Sequence, residues 1–256
     1  SRRRKGKYNH PEEGTPMPKT KRPRWIRASQ DRSVLRIMLA RPPLNILSIA
    51  MLKEIEEALE SARKSRGLRA IVFSAEGRAF SAGTDIDEHR PPKHRSMLKE
   101  FHAVFRTLET INVPILAVVH GPALGGGCEL ACYADWVFAT PDATFGFPEI
   151  KLAVFPPAAA AFLTSLVGYR RAAELILTGR ILSAEEALVW RLINRIVIPE
   201  RIDAELEAFL DDLRMLSAPA LSAARKALRQ SAGKPFEEAL QGAEAVYLQD
   251  LEKSPD

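Results

Sequence analysis

The sequence predicts an α/β fold with an all-helical C-terminal region. Segments with strand-like and helix-like patterns alternate up to about residue 198, which is typical of a sheet whose strands are connected by helices. From Pro199 onwards only helical patterns follow. Within the alternating part, the three consecutive glycines Gly125, Gly126 and Gly127 separate a buried strand from a helix. A chain of 256 residues, 46% of them hydrophobic, can form one substantial core.

The first half of the chain contains long and well-separated elements. Apolar runs with β-branched residues predict strands at residues 34–40, 68–73 and 113–119. Apolar residues at helical spacing predict helices at residues 49–65 and 96–110. Ser48 is a suitable N-cap for the first of these helices.

The second half contains shorter strands and more helices. Short apolar segments predict strands at residues 136–139, 144–147 and 193–198. Helical patterns occur at residues 128–134, after Pro156-Pro157 as far as 167, at 184–190, 200–216, 218–231 and 235–252. Ser183 is a good N-cap for the helix at 184–190.

These patterns divide the chain into a tail at residues 1–24, an α/β core at 25–198 and a helical region at 199–256. The last helix carries an apolar stripe near one face. Such a stripe fits packing on the chain's own body and packing on a second subunit equally well.

The positive charge of the chain is concentrated at its N-terminus. The formal net charge is +5, but residues 1–27 carry ten Lys and Arg against two Glu, and the remainder is net negative. The tail is rich in Pro and poor in apolar residues, so we expect it to be a disordered, solvated extension. It has no apolar region of the kind found in secretory signals, which favours a cytoplasmic protein. Attraction to nucleic-acid phosphates is the alternative explanation of its charge.

The two cysteines, Cys128 and Cys132, lie four residues apart on a predicted helix. Neighbours on a helix have nearly parallel Cβ directions, so we expect buried thiols and no disulfide. His120 is the only histidine nearby, and the set lacks the spacing of a zinc site, so no metal is expected. The apolar runs are all shorter than the roughly 18 residues that a membrane span requires.

The Gly triplet and two glutamates predict an acid/base site. Glycines between a strand and a helix leave backbone N–H groups uncovered at a helix N-terminus, where they can bind a developing negative charge. Glu129 lies in the first turn of that helix, and Glu149 follows twenty residues later. Each glutamate also has an ordinary explanation, Glu129 as a partner of the helix dipole and Glu149 as a surface loop residue.

Three motifs, AFSAGTD at 79–85, GPALGGGCE at 121–129 and FGFPE at 145–149, occur in this order. In this combination the chain resembles the enoyl-CoA hydratase/isomerase, or crotonase, family over roughly residues 30–256. The resemblance implies a crotonase-like spiral of ββα units with C-terminal helices that assemble a homotrimer or a dimer of trimers. It also implies acyl-CoA substrates and no separate cofactor, since coenzyme A is part of the substrate thioester.

The resemblance assigns roles to individual positions. The backbone N–H groups of Ala82 and Gly126 correspond to the oxyanion hole around the thioester carbonyl. Glu129 and Glu149 correspond to the two acid/base glutamates, with Glu129 the candidate base that activates water and Glu149 the candidate acid. The residues that correspond to the coenzyme A groove are Ala82, Gly83, Thr84, Asp85 and Gly126. For Asp85, a structural turn or N-cap role competes with ligand contact.

One departure from the family indicates a subgroup. Many hydratases follow the second glutamate with a Gly-rich segment, whereas here Glu149 is followed by IKLAVFPPAAAAFL. This variant and the string at residues 85–108 look like the cyclohexa-1,5-diene-1-carbonyl-CoA hydratases. Aromatic and proline residues near Glu149 would then form a flat wall that favours a short or cyclic acyl group; they are Phe145, Phe147, Phe155, Pro156 and Pro157.

The sequence therefore predicts a hydro-lyase that adds water to an enoyl-CoA or dienoyl-CoA. Two other functions remain open at this stage. A double-bond isomerase on the same scaffold needs only one glutamate, so the retained pair favours hydration. An RNA-binding role through the basic tail is the alternative from another class, but stacking residues are scarce there, so nucleic acid is not the expected partner.

Overall fold

The computed structural model describes residues 24–31, 33–65 and 67–251. The tail predicted at residues 1–24 therefore lies outside the described residues, apart from Arg24, and so do residues 252–256. Within the described residues no helix is long and apolar enough to cross a membrane.

The strands form two sheets. In chain order they are β1 (Ile26–Gln30), β2 (Val34–Leu39), β3 (Ala70–Ala75), β4 (Ile115–Val119), β5 (Pro122–Leu124), β6 (Trp136–Ala139), β7 (Thr144–Gly146), β8 (Ile181–Ser183) and β9 (Arg195–Ile196). The main sheet has the order β1-β2-β3-β4-β6-β9, in which only the pair β1 and β2 is antiparallel. A small sheet has the order β5-β7-β8. Parallel neighbours require crossover connections, which helices supply here.

Helices connect the strands and form the C-terminal region. They are α1 (Ile49–Arg63), α2 (His94–Thr110), α3 (Gly126–Cys132), α4 (Pro157–Val167), α5 (Tyr169–Thr178), α6 (Ala184–Val189), α7 (Pro199–Arg214), α8 (Ala218–Ser231) and α9 (Phe236–Val246). A 3₁₀ helix spans Pro148–Leu152, and a wider π-type turn, Tyr247–Leu251, follows α9. The hydroxyl of Ser48 accepts the N–H of Met51, and Ser183 forms a capping box with Glu186, so both predicted N-caps are confirmed.

The main sheet is buried on both faces. Ile71 and Phe73 of β3 pack in the larger core with α1 and α2, while the alternate residues Ala70 and Val72 pack against α7 on the other face. Because both faces are covered, the central strands are continuous apolar runs in the sequence. The predicted α/β fold with a helical C-terminal region is confirmed.

Some elements differ from the sequence prediction. β1, β5, β8 and α5 were not predicted, and the strand expected at 193–198 is only Arg195–Ile196. After its first residue β1 is exposed, and β5 is three residues long and begins with a proline, so neither has an alternating apolar pattern. The helix expected at 128–134 begins at Gly126, so it includes two residues of the Gly triplet.

A buried ion pair attaches the C-terminal helices to the sheet. Arg225 of α8 is 5% exposed; its Nε donates to Asp135 Oδ2 at 2.6 Å and its Nη1 donates to the carbonyl of Ile111 at 3.0 Å. Asp135 also accepts the N–H of Ile115 at 2.9 Å and Nη2 of Arg229 at 2.9 Å. The carboxylate therefore joins the start of β4 to two side chains of α8.

We expect Asp135→Ala to lower the free energy of unfolding by about 2–4 kcal/mol, because it leaves the Arg225 guanidinium buried without its counter-charge. The control is Arg201→Ala, which removes an exposed bridge to Glu205 and should cost less than about 1 kcal/mol. Both losses can be measured by urea unfolding at one protein concentration. Equal losses in the two variants would contradict the structural role of Asp135.

Candidate active site

Two of the three sequence motifs meet along a short ladder of backbone contacts. The N–H of Ser81 donates to the carbonyl of Pro122 at 3.2 Å, and the N–H of Leu124 donates to the carbonyl of Ser81 at 2.9 Å. These bonds hold the AFSAGTD segment beside β5, immediately before the Gly triplet. A Cβ atom at Gly83 would lie 3.2 Å from the carbonyl oxygen of Leu124, so the two backbones approach closely.

Each glycine of the triplet is in contact with a different part of the site. A Cβ atom at Gly126 would lie 2.7 Å from Thr84 Cγ2, and one at Gly127 would lie 2.6 Å from Ser81 Cβ. At Gly125, where φ is +52°, it would lie 2.6 Å from Oε1 of Glu149. Any other residue would clash at all three positions. The triplet therefore brings the third motif, with Glu149, to the other two.

Glu129 is a buried carboxyl in the first turn of α3. It is 2% exposed, and its Oε1 accepts the N–H of Ala159 at 2.7 Å, from the first turn of α4. Burial, together with the nearby charge of Glu149, raises the pKa of Glu129 to about 8, and the N–H groups of Ala158 and Ala159 oppose this shift. The carboxylate is thus held at the N-terminus of a second helix.

Glu149 is the second residue of the 3₁₀ helix and is partly buried. Its Oε2 is buried and has no hydrogen-bond partner among the described residues. Burial raises the pKa of Glu149 to about 7. Two carboxyls with raised pKa values therefore flank the Gly triplet, and their mutual repulsion favours a state in which only one of them is ionised near neutral pH.

The predicted backbone donors are placed differently from the expectation. The N–H of Ala82 donates to the carbonyl of Leu44 at 2.9 Å, so the prediction that it is a free oxyanion donor is wrong. The N–H groups of Gly126 and Thr84 have no acceptor among the described residues. Leu47 bonds to both neighbours of Thr84, which turns the Thr84 N–H to the opposite side of the segment. Thr84 and Gly126 supply the unpaired N–H groups at this point.

Asp85 has a structural role in the turn after this segment. Its N–H donates to the carbonyl of Leu47 at 3.0 Å, and its Oδ1 accepts the N–H of Asp87 at 3.0 Å. This is the turn role considered from the sequence. Contact of Ala82, Gly83, Thr84, Asp85 and Gly126 with coenzyme A stays a prediction.

The prediction that aromatic residues near Glu149 form a wall of the substrate pocket is wrong for Phe145 and Phe147. Phe145 and Phe147 are completely buried in the larger core, so neither can line an open pocket. Phe155 is 59% exposed. Closeness to Glu149 in the sequence did not show which aromatic side chains point into the core and which point to solvent. The reason is that the chain changes direction at β7 and at the 3₁₀ helix.

A different set of aromatic rings lies beside the site. Phe101 of α2 is in contact with the triplet, since its Cζ would lie 3.0 Å from a Cβ at Gly126. From there, edge-to-face contacts run through Phe105 and Tyr133 to Phe162 of α4, with ring centroids 5.1 to 5.6 Å apart. The helical stripe of α2 contained Phe101 and Phe105, but the sequence could not show which element it faces.

The cysteines are placed as the sequence predicts. Cys128 and Cys132 are free and buried, with their sulfur atoms 3.7 Å apart. Burial raises the pKa of the Cys128 thiol well above its usual range. Cys128 is therefore a protonated thiol, and neither sulfur forms a disulfide.

Known proteins are similar to this chain over most of its length. The model of the enoyl-CoA hydratase/isomerase family matches residues 29–254. The chain is 38% identical to a cyclohexa-1,5-dienecarbonyl-CoA hydratase of Thauera aromatica, covering 91% of this chain and 89% of that protein. It is 37% identical to a probable enoyl-CoA hydratase of Rhizobium meliloti (strain 1021), covering 76% and 77%.

Solved structures show the same fold. An enoyl-CoA hydratase of Bacillus anthracis is 27% identical with a TM-score of 0.85, covering 91% of this chain and 93% of that one. An enoyl-CoA hydratase of Mycobacterium smegmatis is 29% identical with a TM-score of 0.82, covering 88% and 90%. On the family match, the identities and the shared fold, this chain belongs to the enoyl-CoA hydratase/isomerase family.

Proposed function

We propose that this protein adds water to the C=C bond of an enoyl-CoA or dienoyl-CoA thioester. The observation that carries the proposal is the meeting of two carboxyls with raised pKa values at a glycine turn whose N–H is unpaired. The N–H groups of Thr84 and Gly126 form the oxyanion hole, and Glu129 and Glu149 exchange protons with water and substrate.

The chemistry requires both parts. When water adds to the β-carbon, negative charge develops on the thioester oxygen, and two fixed N–H donors stabilise that charge more in the transition state than in the substrate. One carboxylate accepts a proton from water while a carboxylic acid donates a proton to the α-carbon. The raised pKa values allow one group of each kind at neutral pH. The pKa of Glu129 is the higher of the two, so the unliganded site holds its proton on Glu129. The prediction of Glu129 as base and Glu149 as acid therefore requires the proton to lie on Glu149 once substrate is bound.

The second glutamate decides between hydration and isomerisation. A double-bond isomerase needs one group to move a proton, whereas hydration uses a base for water and an acid for carbon. The Glu149 carboxyl lies against Gly125, Glu129 is in the first turn of the helix that the triplet begins, and the relatives compared above are named as hydratases. Hydration is therefore the function that the site supports best.

A short or cyclic acyl group is the proposed substrate class. The Thauera aromatica relative is named for a cyclic dienoyl-CoA. Phe101 lies against Gly126, and the aromatic row that begins there limits the space beside the oxyanion hole. Proline and alanine in place of glycine stiffen the start of α4 next to Glu129.

Self-association is part of the proposal. The C-terminal helices expose large apolar side chains, among them Leu228, Phe236 and Tyr247. Exposed apolar side chains on these helices are suited to packing on another chain, as is the apolar stripe predicted for the last helix. A homotrimer, or a dimer of trimers, with each site binding acyl-CoA and no other cofactor, fits these surfaces.

We expect Glu129→Gln and Glu149→Gln each to lower kcat for crotonyl-CoA or dienoyl-CoA hydration by about 10²- to 10⁴-fold, because an amide cannot exchange the proton. Binding of butyryl-CoA, measured by calorimetry, should change little. Glu185→Gln, at an exposed carboxyl of α6, is the control and should keep full activity. Full activity in either site variant would remove that glutamate from the mechanism.

The raised carboxyl pKa values also predict how stability depends on pH. Between pH 4.5, the ordinary value, and about 8, the folded state binds more protons than the unfolded state, so the free energy of unfolding should fall as pH rises. Glu129→Gln removes the group with the larger pKa shift. The decrease in the free energy of unfolding between low and high pH should therefore be smaller in this variant by about 1 kcal/mol or more. Urea unfolding of both proteins from pH 5 to 8.5 measures the difference, and parallel curves would contradict the buried, protonated carboxyl.

A turnover panel tests the substrate class. We expect kcat/KM to be higher for cyclohexa-1,5-diene-1-carbonyl-CoA and crotonyl-CoA than for a ten-carbon enoyl-CoA, because the aromatic row leaves little space for a long chain. Phe101→Ala should raise the relative value for the long substrate. If the ten-carbon substrate is best for the unmodified protein, the size argument is wrong.

A further inference from the structure

His89 is a half-buried histidine in the turn between the AFSAGTD segment and α2. Its Nε2 lies 3.3 Å from Thr84 Oγ1, and its Nδ1 lies 3.0 Å from the carbonyl oxygen of Asp85. The ring therefore spans the turn and contacts the residue whose N–H is one of the two unpaired donors at the site. His89 lies outside the three motifs at 79–85, 121–129 and 145–149.

The contacts fix the hydrogen-bonding roles of the neutral ring. A carbonyl oxygen can only accept, so Nδ1 carries the hydrogen and donates to Asp85. Nε2 is then an acceptor, and the Thr84 hydroxyl donates to it. The hydroxyl has no other hydrogen-bond partner among the described residues. The histidine thus selects the side-chain orientation of Thr84.

The orientation of Thr84 affects the distance between the two donors. With Oγ1 bonded to His89, the methyl group of Thr84 lies against the Cα of Gly126. The backbone of Thr84 is held on one side by Leu47 through its neighbours Gly83 and Asp85. The side chain of Thr84 is held by its hydrogen bond to His89 and by the contact of its methyl group with Gly126. Together these contacts keep the Thr84 N–H in one position relative to the Gly126 N–H.

We propose that His89 is a positioning residue for the oxyanion hole and acts through the Thr84 hydroxyl. The inference rests on the proposed function, because it assigns the Thr84 N–H to the thioester oxygen. The turn itself has other supports, since Asp85 already bonds to Leu47 and Asp87. The turn is therefore held together without the Nε2 contact, and that contact serves to orient the side chain of Thr84.

The test uses three substitutions that separate the two ring contacts. His89→Leu removes both hydrogen bonds. His89→Gln can return an acceptor near the position of Nε2, and His89→Asn can return a donor near the position of Nδ1. His120→Leu is the matched control, because it removes a histidine that is also bonded to a backbone carbonyl, that of Gly77 at 3.1 Å.

We expect His89→Leu and His89→Asn to lower kcat by about tenfold with KM nearly unchanged, less than the 10²- to 10³-fold loss of a whole donor. His89→Gln should recover most of the rate, and His120→Leu should keep it. In the background of Thr84→Val, which lacks the hydroxyl, His89→Leu should cause no further loss. Equal rates for Leu, Asn and Gln, or additive losses in the double variant, would overturn the proposal.

A spectroscopic measurement separates this inference from the proposed function. The absorption of bound cinnamoyl-CoA moves to longer wavelength when hydrogen bonds polarise its thioester carbonyl, whether or not water is added. We expect this shift in the unmodified protein and in His89→Gln, and a smaller one in His89→Leu. A shift without any hydration activity would reject the proposed function but support the role of His89. No shift in the unmodified protein, or an equal shift in His89→Leu, would overturn the role of His89.

Discussion

The close contact of the Gly triplet with two other segments, the AFSAGTD segment and the FGFPE segment, is the constraint on which the site depends. Ser81 lies against Gly127, Thr84 lies against Gly126 and the carboxyl of Glu149 lies against Gly125, each at a distance that leaves no space for a side chain. Since these segments are far apart in the chain, the absence of three Cβ atoms determines whether the motifs can meet. It also leaves the first N–H of α3 unpaired where they meet.

Burial of the two carboxyls gives the site its chemistry. A surface glutamate is ionised at neutral pH, whereas the surroundings of Glu129 and Glu149 raise both pKa values into the range where one can hold a proton and the other can lose it. The N–H groups of α4 limit the shift at Glu129, so the group stays able to ionise. Although Pro156-Pro157 and alanines stand in place of a Gly-rich segment, Ala159 still donates to the Glu129 carboxylate, because α4 contributes only a backbone N–H to this bond.

The C-terminal helices are joined to the part of the molecule that carries the site. Asp135 follows α3 and precedes β6, and it is bonded to Arg225 and Arg229 of α8. Arg229 also lies over the ring of Tyr133, 4.4 Å from its centroid, and Tyr133 belongs to the aromatic row that begins at Phe101. The ion pairs of α8 therefore lie close to the aromatic row beside the site.

The sequence by itself determined the class of fold, the long helices and central strands, the family and the two glutamates. These depend on local patterns and on motifs whose spacing is fixed along the chain. Only the tertiary structure decided that the Ala82 N–H is bonded to Leu44, while the Thr84 N–H has no acceptor in the part of the chain that the structure describes. The same holds for the aromatic rings, because Phe145 and Phe147 face the core while Phe101 faces the site. The pairing of an N–H group and the direction of a ring depend on contacts with segments that are distant in the sequence. A local sequence pattern does not show which segments make those contacts.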